Sequence, residues 1–489
     1  MITLLVLIPA LAGLAAFFIR SDRLRRGLLV FTAMVPAALS CATWTMPPEP
    51  ALNGWLAEDA LGRLFLTLTS LLFLASSFYA IAYLRGEHHP HSDFEEGFLF
   101  SNAREASFTG CLLLFLTAMT VVTLSQHLGL LWVAVEATTL ASAPLIYFHR
   151  HHRSLEATWK YLLVCSVGIA LALLGIFFLA VAATNPRGPG VSLVLKDLLS
   201  NAQHMNGLWL KAAFVLMLVG YGTKMGLAPF HSWLPDAHSE APSVASALLS
   251  GALLNCAFLG ILRTHEICVA SGLADFSERL LLLFGLLSMA VAAVFIIGQT
   301  DYKRMLAYSS VEHMGILAVG VGLGGAGAFG AMLHVINHSV TKAMLFMVAG
   351  NLLAVYHTKT TNGVSGALQV LPMSGLLWLV GLLAITGSPP FGPFLSEFTI
   401  LKAALDQGRI FVAIAYLVLL AIILAGMAIP MLGMAQGTPR NNMAAPADRS
   451  MVLTAVPAIL GAVALLMGIY VPPVLTRTLH AAAHLFSHS

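Results

Sequence analysis

The chain has 489 residues, of which 58% are hydrophobic and only 10% charged, and its mean hydropathy is +0.86. Soluble domains carry roughly a quarter charged residues, so this composition excludes a water-facing surface and leaves lipid as the solvent. The net charge of +3 is small and scattered, which gives no basis for a nucleic-acid partner.

A membrane helix needs about 20 apolar residues. Such runs begin near residues 2, 27, 61, 108, 128, 155, 209, 243, 280, 303, 327, 371, 409 and 451, which predicts an all-α polytopic membrane protein with about fourteen spans. The first run, MITLLVLIPALAGLAAFFIR, has its arginines after the apolar stretch instead of before it, so it reads as a retained helix and not a signal peptide. Polar connections fall at 86–107, 184–207 and 435–450, and no segment resembles a separate soluble domain. Cys41, Cys111, Cys165, Cys256 and Cys268 stand alone, so nothing supports an iron–sulfur, zinc or dithiol site.

Basic residues set the orientation. Putting Arg20 to Arg26, Arg150, Arg153, Lys303 and Arg304 on one side collects about 14 of the 25 Lys and Arg there. That side is expected to be cytoplasmic, with both termini facing outward across an inner membrane.

Two spans are interrupted alike. One reads GYGTKMGLAPFHSWLPD, with Pro229 and Pro235, and the other AITGSPPFGPFLSEF, with Pro389, Pro390 and Pro393. Proline removes a backbone donor and clashes with the preceding turn. The freed backbone groups are tolerated at membrane depth only within protein or beside water. Two breaks in matching places of two halves point to inverted repeats around a midplane pathway.

Charges deep in the bilayer cost at least 2.5–3.5 kcal/mol each on insertion scales, so the few present mark function. Glu136 lies about eight residues from either end of its span, LGLLWVAVEATTLASAPLIYF, and Lys224 lies at the first break. A Glu136–Lys224 pair is a candidate proton-loading site whose affinity depends on their separation. His334, His338 and Lys342 recur at intervals of four and share one helix stripe. Histidine changes charge near physiological pH, so that stripe can pass protons through intervening water. With no carboxylate or thiolate on the stripe, a metal site is not expected. Glu397, after the second break, is the candidate exit carboxylate, although a helix-end residue could also reach the interface. Glu312 and His313 extend the same polar axis. His231, Asp236, His238 and Glu240, in the loop after the first break, read as surface or capping residues first and as proton access second. HRHHR at 149–153 reads as a solvated loop. The chain carries no P-loop, dinucleotide fingerprint, haem motif or nucleophile elbow. It is therefore expected to move ions and to hold no catalytic centre.

The stretches GTKMGLAPFHSWLPDAHSEAPSVASALLSG and QTDYKRMLAYSSVEHMG resemble the antiporter-like membrane subunits of respiratory complex I and its relatives, over roughly residues 60–430. The resemblance implies fourteen helices, two inverted five-helix repeats, and discontinuous helices seven and twelve. The corresponding division is 1–107 for three N-terminal helices and a polar loop, 108–266 and 267–434 for the repeats, and 435–489 for the last loop and helix. By the same resemblance Glu136 matches the fifth-helix glutamate, Lys224 the seventh-helix lysine, and Lys342 with His334 and His338 the eleventh-helix relay. Glu397 matches a twelfth-helix position that holds lysine in some members and glutamate in others. One departure is Asn255, in the eighth helix, where several complex I members place lysine; proton transfer there would need water, or would run through His334 and His338.

TGSPPFGPFLSEF and SSVEHMG make the chain look closest to the hydrogenase-4 membrane subunit (component F) of group 4 [NiFe]-hydrogenases and formate hydrogenlyases. That implies other membrane subunits and a soluble redox module with hydrogenase large and small subunits as partners. NiFe and iron–sulfur clusters would sit on those chains and none on this one. The rival readings are a complex I NADH:quinone oxidoreductase subunit, an Mrp-type cation/proton antiporter subunit, or a stand-alone secondary transporter for a small solute.

Overall fold

The computed structural model of the protein describes residues 1–86, 104–184, 192–439 and 450–486. The three polar connections expected from sequence therefore lie partly outside the described residues. Helices α1 (Ile2–Phe18), α2 (Asp22–Ala42), α3 (Ala60–Gly86), α4 (Arg104–Leu124), α5 (Leu128–Ile146) and α6 (His152–Ala183) come first. After the short α7 (Leu195–Ser200), the first interrupted span consists of α8 (Gly207–Met225) and α9 (Trp233–Glu240). The next span is α10 (Ser243–Leu248) and α11 (Leu254–Ala270), joined by one π-helical turn at Leu249–Leu253. Then come α12 (Ala274–Ile296), α13 (Tyr302–Leu323), α14 (Gly325–Tyr356) and the single-turn α15 (Ala367–Val370). The second interrupted span is α16 (Pro372–Ile385) and α17 (Gly392–Asp406), followed by α18 (Ile410–Ala435), α19 (Val452–Ile469) and α20 (Pro473–His484).

Twelve helices among the described residues are long and apolar enough to cross a membrane. With α1 and the interrupted α16–α17 pair they make the fourteen spans predicted, and no expected start is displaced by more than six residues. Two local expectations fail: residues 233–240, expected in a loop, are the helix α9, and His152 and Arg153 of the expected 149–153 loop open α6. The first turn of α9 carries Pro235, where the missing N–H has no intrahelical partner to lose.

Burial separates the spans by role. The central stretches of the α10–α11 span and of α13 are enclosed by other helices, and that of α14 nearly so, whereas α18 and α19 present most of their surface outward. Phe411 and Ile429 of α18 are 79% and 76% exposed, as lipid-facing side chains should be. Close backbone approach builds the interior: a Cβ on Gly285 of α12 would lie 2.8 Å from the Gly315 carbonyl oxygen of α13.

The two breaks end their first halves with the same hydrogen bonds. After α8, Gly226 takes a left-handed conformation (φ +85°) and the Leu227 N–H donates to Gly222 O at 2.8 Å. After α16, Gly387 does the same (φ +62°) and the Ser388 N–H donates to Leu383 O at 2.9 Å. Both are six-to-one C-caps with glycine in the position that suits it. At the first break the Trp233 indole N–H adds a bond to Thr223 O at 2.8 Å, so the exposed carbonyl ends are satisfied by protein. The two interrupted spans thus share the way in which their first halves end.

Outside the spans, Asp59 ahead of α3 receives both terminal nitrogens of Arg263, which is 1% exposed on α11. Burial alone would raise the Asp59 carboxyl, but the guanidinium overrides it and holds the group below the usual carboxylate range. Its stabilising contribution is therefore present above that range and lost as pH falls through the lowered value. Asp59→Asn leaves the buried guanidinium one neutral amide oxygen at that site, with Glu266, at 3.7 Å, as its remaining carboxylate. The expected cost is about 3 kcal/mol, at the low end for breaking a buried pair, read as a fall in thermal unfolding temperature in detergent.

Candidate functional site

The polar interior falls into two groups. The first is built where α5, α6 and the end of α8 meet. Lys224 is fully buried in the last turn of α8, where the carbonyl end of the helix favours a cation. Its ammonium donates to the Tyr161 hydroxyl of α6 at 2.5 Å and to Thr139 Oγ1 of α5 at 2.8 Å, and it lies 4.4 Å from the Tyr161 ring centre. Glu136 is half-buried. Its Oε1 accepts from Ser166 Oγ at 2.7 Å and its Oε2 from Thr139 Oγ1 at 3.2 Å. The expected Glu136–Lys224 pair is thus not a direct ion pair: the Thr139 hydroxyl stands between the two.

The second group lies around α14. His334, His338 and Lys342 are all fully buried on one stripe, as their spacing predicts. Lys342 Nζ donates to Leu306 O of α13 at 2.7 Å and to Ser309 Oγ of the same helix, and Glu312 of α13 lies within electrostatic reach. The His313 and His338 ring centres are 4.9 Å apart. His313 Nδ1 and His334 Nε2 share a hydrogen bond of 2.8 Å, and His334 Nδ1 meets Ser396 Oγ of α17 at 2.9 Å. Asn337 Nδ2 donates to Gly392 O at 2.7 Å and so ties α14 to the start of α17.

Glu397, on α17, is 6% exposed and does not reach the interface. It comes to the histidine end of the stripe: one ligand atom from each of His313, His334 and Glu397 lies within 4.8 Å of the other two. The expectation that no carboxylate joins the stripe is therefore corrected, because a second helix supplies one. Imidazole and carboxylate are metal-ligating groups, but both ring nitrogens of His334 already make hydrogen bonds, a geometry suited to handing on a proton. The group has no thiolate, which iron–sulfur clusters require.

Asn255 follows the π-helical turn and is 1% exposed. Its amide donates to Gly251 O at 2.9 Å and to Ser339 Oγ of α14 at 2.7 Å. It ties the eighth span to α14 at Ser339, whose own hydroxyl donates to Val335 O. Asp236 sits instead in a surface network, with Lys160 and Arg304 each at 3.0 Å. Glu240 pairs with Lys359 at 2.9 Å and lies 3.5 Å from His151. His238 departs from the surface expectation: it is fully buried and stacks on Phe346 with ring centres 4.9 Å apart.

Thr139, Tyr161, Ser166, Ser309, Asn337 and Ser396 were not among the residues singled out from sequence. The available signal was position alone, since Thr139 lies one turn after Glu136 and Ser396 directly precedes Glu397.

With this geometry in view, comparisons with known proteins become specific. A sequence profile described as NADH:quinone oxidoreductase/Mrp antiporter, TM, matches residues 125–424. The hydrogenase-4 component F homolog of Methylacidiphilum infernorum is 40% identical over 300 residues, covering 61% of this chain and 63% of that protein. Hydrogenase-4 component B of Escherichia coli is 26% identical over 406 residues, or 78% of this chain and 56% of its own. The chain thus spans less than two thirds of the length of these relatives. A chain of the Mrp complex from Dietzia sp. superposes with a TM-score of 0.86 at 21% identity, covering 99% of this chain and 97% of that one. A chain of respiratory complex I from Thermus thermophilus gives 0.82 at 23% identity, with both chains wholly covered. At these identities the superpositions establish the fold.

Proposed function

Because this chain belongs to the NADH:quinone oxidoreductase/Mrp antiporter transmembrane family, we propose that it is the proton-translocating, antiporter-like membrane subunit of a hydrogenase-4-type oxidoreductase complex. The observation that carries the proton-moving part is the buried line His338, His313, His334, Ser396 along α13, α14 and α17, with Lys342 and Glu312 at one end and Glu397 at the other. Isolated groups of this kind are expensive in a membrane interior. A series of them, hydrogen-bonded from His313 through His334 to Ser396 with the His338 ring packed beside His313, fits proton passage by groups that alternate between neutral and protonated states. The Lys224–Thr139–Glu136 group supplies a second titratable site in the first half.

The hydrogenase-type assignment draws on the 40% identical relative, whose name is hydrogenase-4 component F homolog. In this reading the driving energy comes from a soluble module on other chains, carrying the [NiFe] centre and iron–sulfur clusters. Other membrane subunits flank this one in the inner membrane, with both termini on the outer side, and residues 108–266 and 267–434 act as the two repeats. A complex I or Mrp-type subunit is the second reading, favoured by the superposition on a chain of an Mrp complex.

The deciding experiment is a pull-down of the tagged chain from membranes in mild detergent. Recovery of a [NiFe] large subunit with iron–sulfur proteins is the expected result. Recovery of NADH-binding subunits, or of small antiporter subunits, would overturn the hydrogenase assignment.

A further inference from the structure

The ammonium of Lys224 has two hydroxyl partners, and they lead to different places. The Tyr161 hydroxyl meets Ser142 Oγ at 2.6 Å, and Ser142 donates back to Thr138 O of its own helix at 2.6 Å. That branch ends on a carbonyl, which cannot take up a proton. Thr139 Oγ1 accepts from Lys224 at 2.8 Å and donates to Glu136 Oε2 at 3.2 Å. That branch ends on a carboxylate. Thr139 is itself fully buried, so its hydroxyl has no competing bulk water.

The second half offers the contrast. Lys342 also bonds a hydroxyl, that of Ser309, but Ser309 donates to Leu306 O at 3.1 Å and Glu312 Oε2 has no partner. A carboxylate three residues from the hydroxyl occurs in both halves, yet only in the first does the hydroxyl connect lysine to carboxylate.

We propose that Thr139 is a proton-passing bridge, the group through which Lys224 and Glu136 exchange a proton without ever forming an ion pair. The inference rests on the proton-translocation reading above and deepens its first site. In the transfer, an N–H bond of the Lys224 ammonium and the O–H bond of Thr139 break together. New O–H bonds form at Thr139 Oγ1 and at Glu136 Oε2. An ammonium and a carboxylate become an amine and a carboxylic acid, with no electrons transferred and no change in net charge. The Thr139 hydroxyl then points toward lysine: the same step can run back from there, but a second forward transfer requires the hydroxyl to rotate first. Because the step ends with two neutral groups, it removes two opposite charges from the interior at once.

The test uses the complex isolated through a tag on this chain and reconstituted in liposomes. A potassium diffusion potential set with valinomycin drives protons, and an internal pH dye reads their flux. Thr139→Val keeps the shape and removes the hydroxyl. It is expected to cut flux about a hundredfold, at the low end for a positioned proton-transfer group. Thr139→Ser, which keeps the hydroxyl, is expected to restore flux to near the wild-type rate, an outcome that a purely packing role for the threonine would not give. If Thr139→Val does not assemble, Thr139→Ala takes its place, since it removes atoms and adds none. Wild-type flux through the valine or alanine variant overturns the bridge. Glu136→Gln and Lys224→Met run in parallel: if both conduct normally, the relay reading itself has failed, whereas if both are silent and Thr139→Val conducts, only the bridge has.

Discussion

Replacing Lys224 with methionine is expected to abolish proton transport while leaving the chain folded and assembled. The fold should survive because little depends on the ammonium for satisfaction. Without it, the Tyr161 hydroxyl keeps Ser142 at 2.6 Å and the Thr139 hydroxyl keeps Glu136 at 3.2 Å. Methionine fills a similar volume without a buried charge, and the Glu136 that it leaves behind is only half-buried and keeps its bonds from Ser166 and Thr139. Transport should fail because methionine can neither take up nor release a proton. The expected loss is at least a hundredfold in flux, with assembly on a native gel unchanged. A membrane-anchor role predicts the reverse, in which the charge can be removed without consequence. Normal flux through Lys224→Met would therefore rule out a relay that passes through the first half.

Much of this arrangement could be read before any coordinates. Apolar runs located the spans because a bilayer imposes a length on every helix that crosses it. Prolines located the breaks because they forbid helical hydrogen bonding. The stripe of His334, His338 and Lys342 followed from spacing alone, since residues four apart on a helix lie one above another.

What stayed hidden depended on rotation and partner choice. Serine and threonine hydroxyls in membrane helices commonly bond back to a carbonyl of their own turn, as Ser142, Thr158 and Ser339 do here. Sequence gives no sign that Thr139 turns instead toward a neighbouring carboxylate. The meeting of Glu397 with His313 and His334 requires the rotation of three helices about their axes, which packing sets and hydropathy does not. His238 was read as a surface residue because it follows a break, yet α9 carries it inward against Phe346. The Asn255 substitution looked like a gap in the pathway. In the structure its amide nitrogen donates to Gly251 O and Ser339 Oγ, so the position is polar and its donors are satisfied, but the Ser339 hydroxyl donates to Val335 O and does not join the stripe.

The second half makes the other large prediction, at Glu397. Its carboxylate is buried, Oε1 has no partner, and His313 and His334 lie close by. If protons leave the histidine stripe through this group, Glu397→Gln should stop transport as fully as loss of Lys224, since the amide fills the same space but cannot accept a proton. Glu397→Asp should retain part of the flux, because the acid survives with shorter reach. A change that leaves Glu397 in place sharpens the argument. A Cβ on Gly387 would lie 2.0 Å from Glu397 Oε2, and Gly387 holds φ +62°. Gly387→Ala must therefore push the carboxylate aside or reshape the break. Flux through Gly387→Ala is expected to fall at least tenfold even though no titratable group has been altered. Adding Gly387→Ala to Glu397→Asp, which keeps part of the flux, should then cost less than the product of the two separate losses, because both act on one group. Independent, multiplying losses would mean that Gly387 serves the break and not the carboxylate, and unaltered flux in Glu397→Gln would remove Glu397 from the pathway.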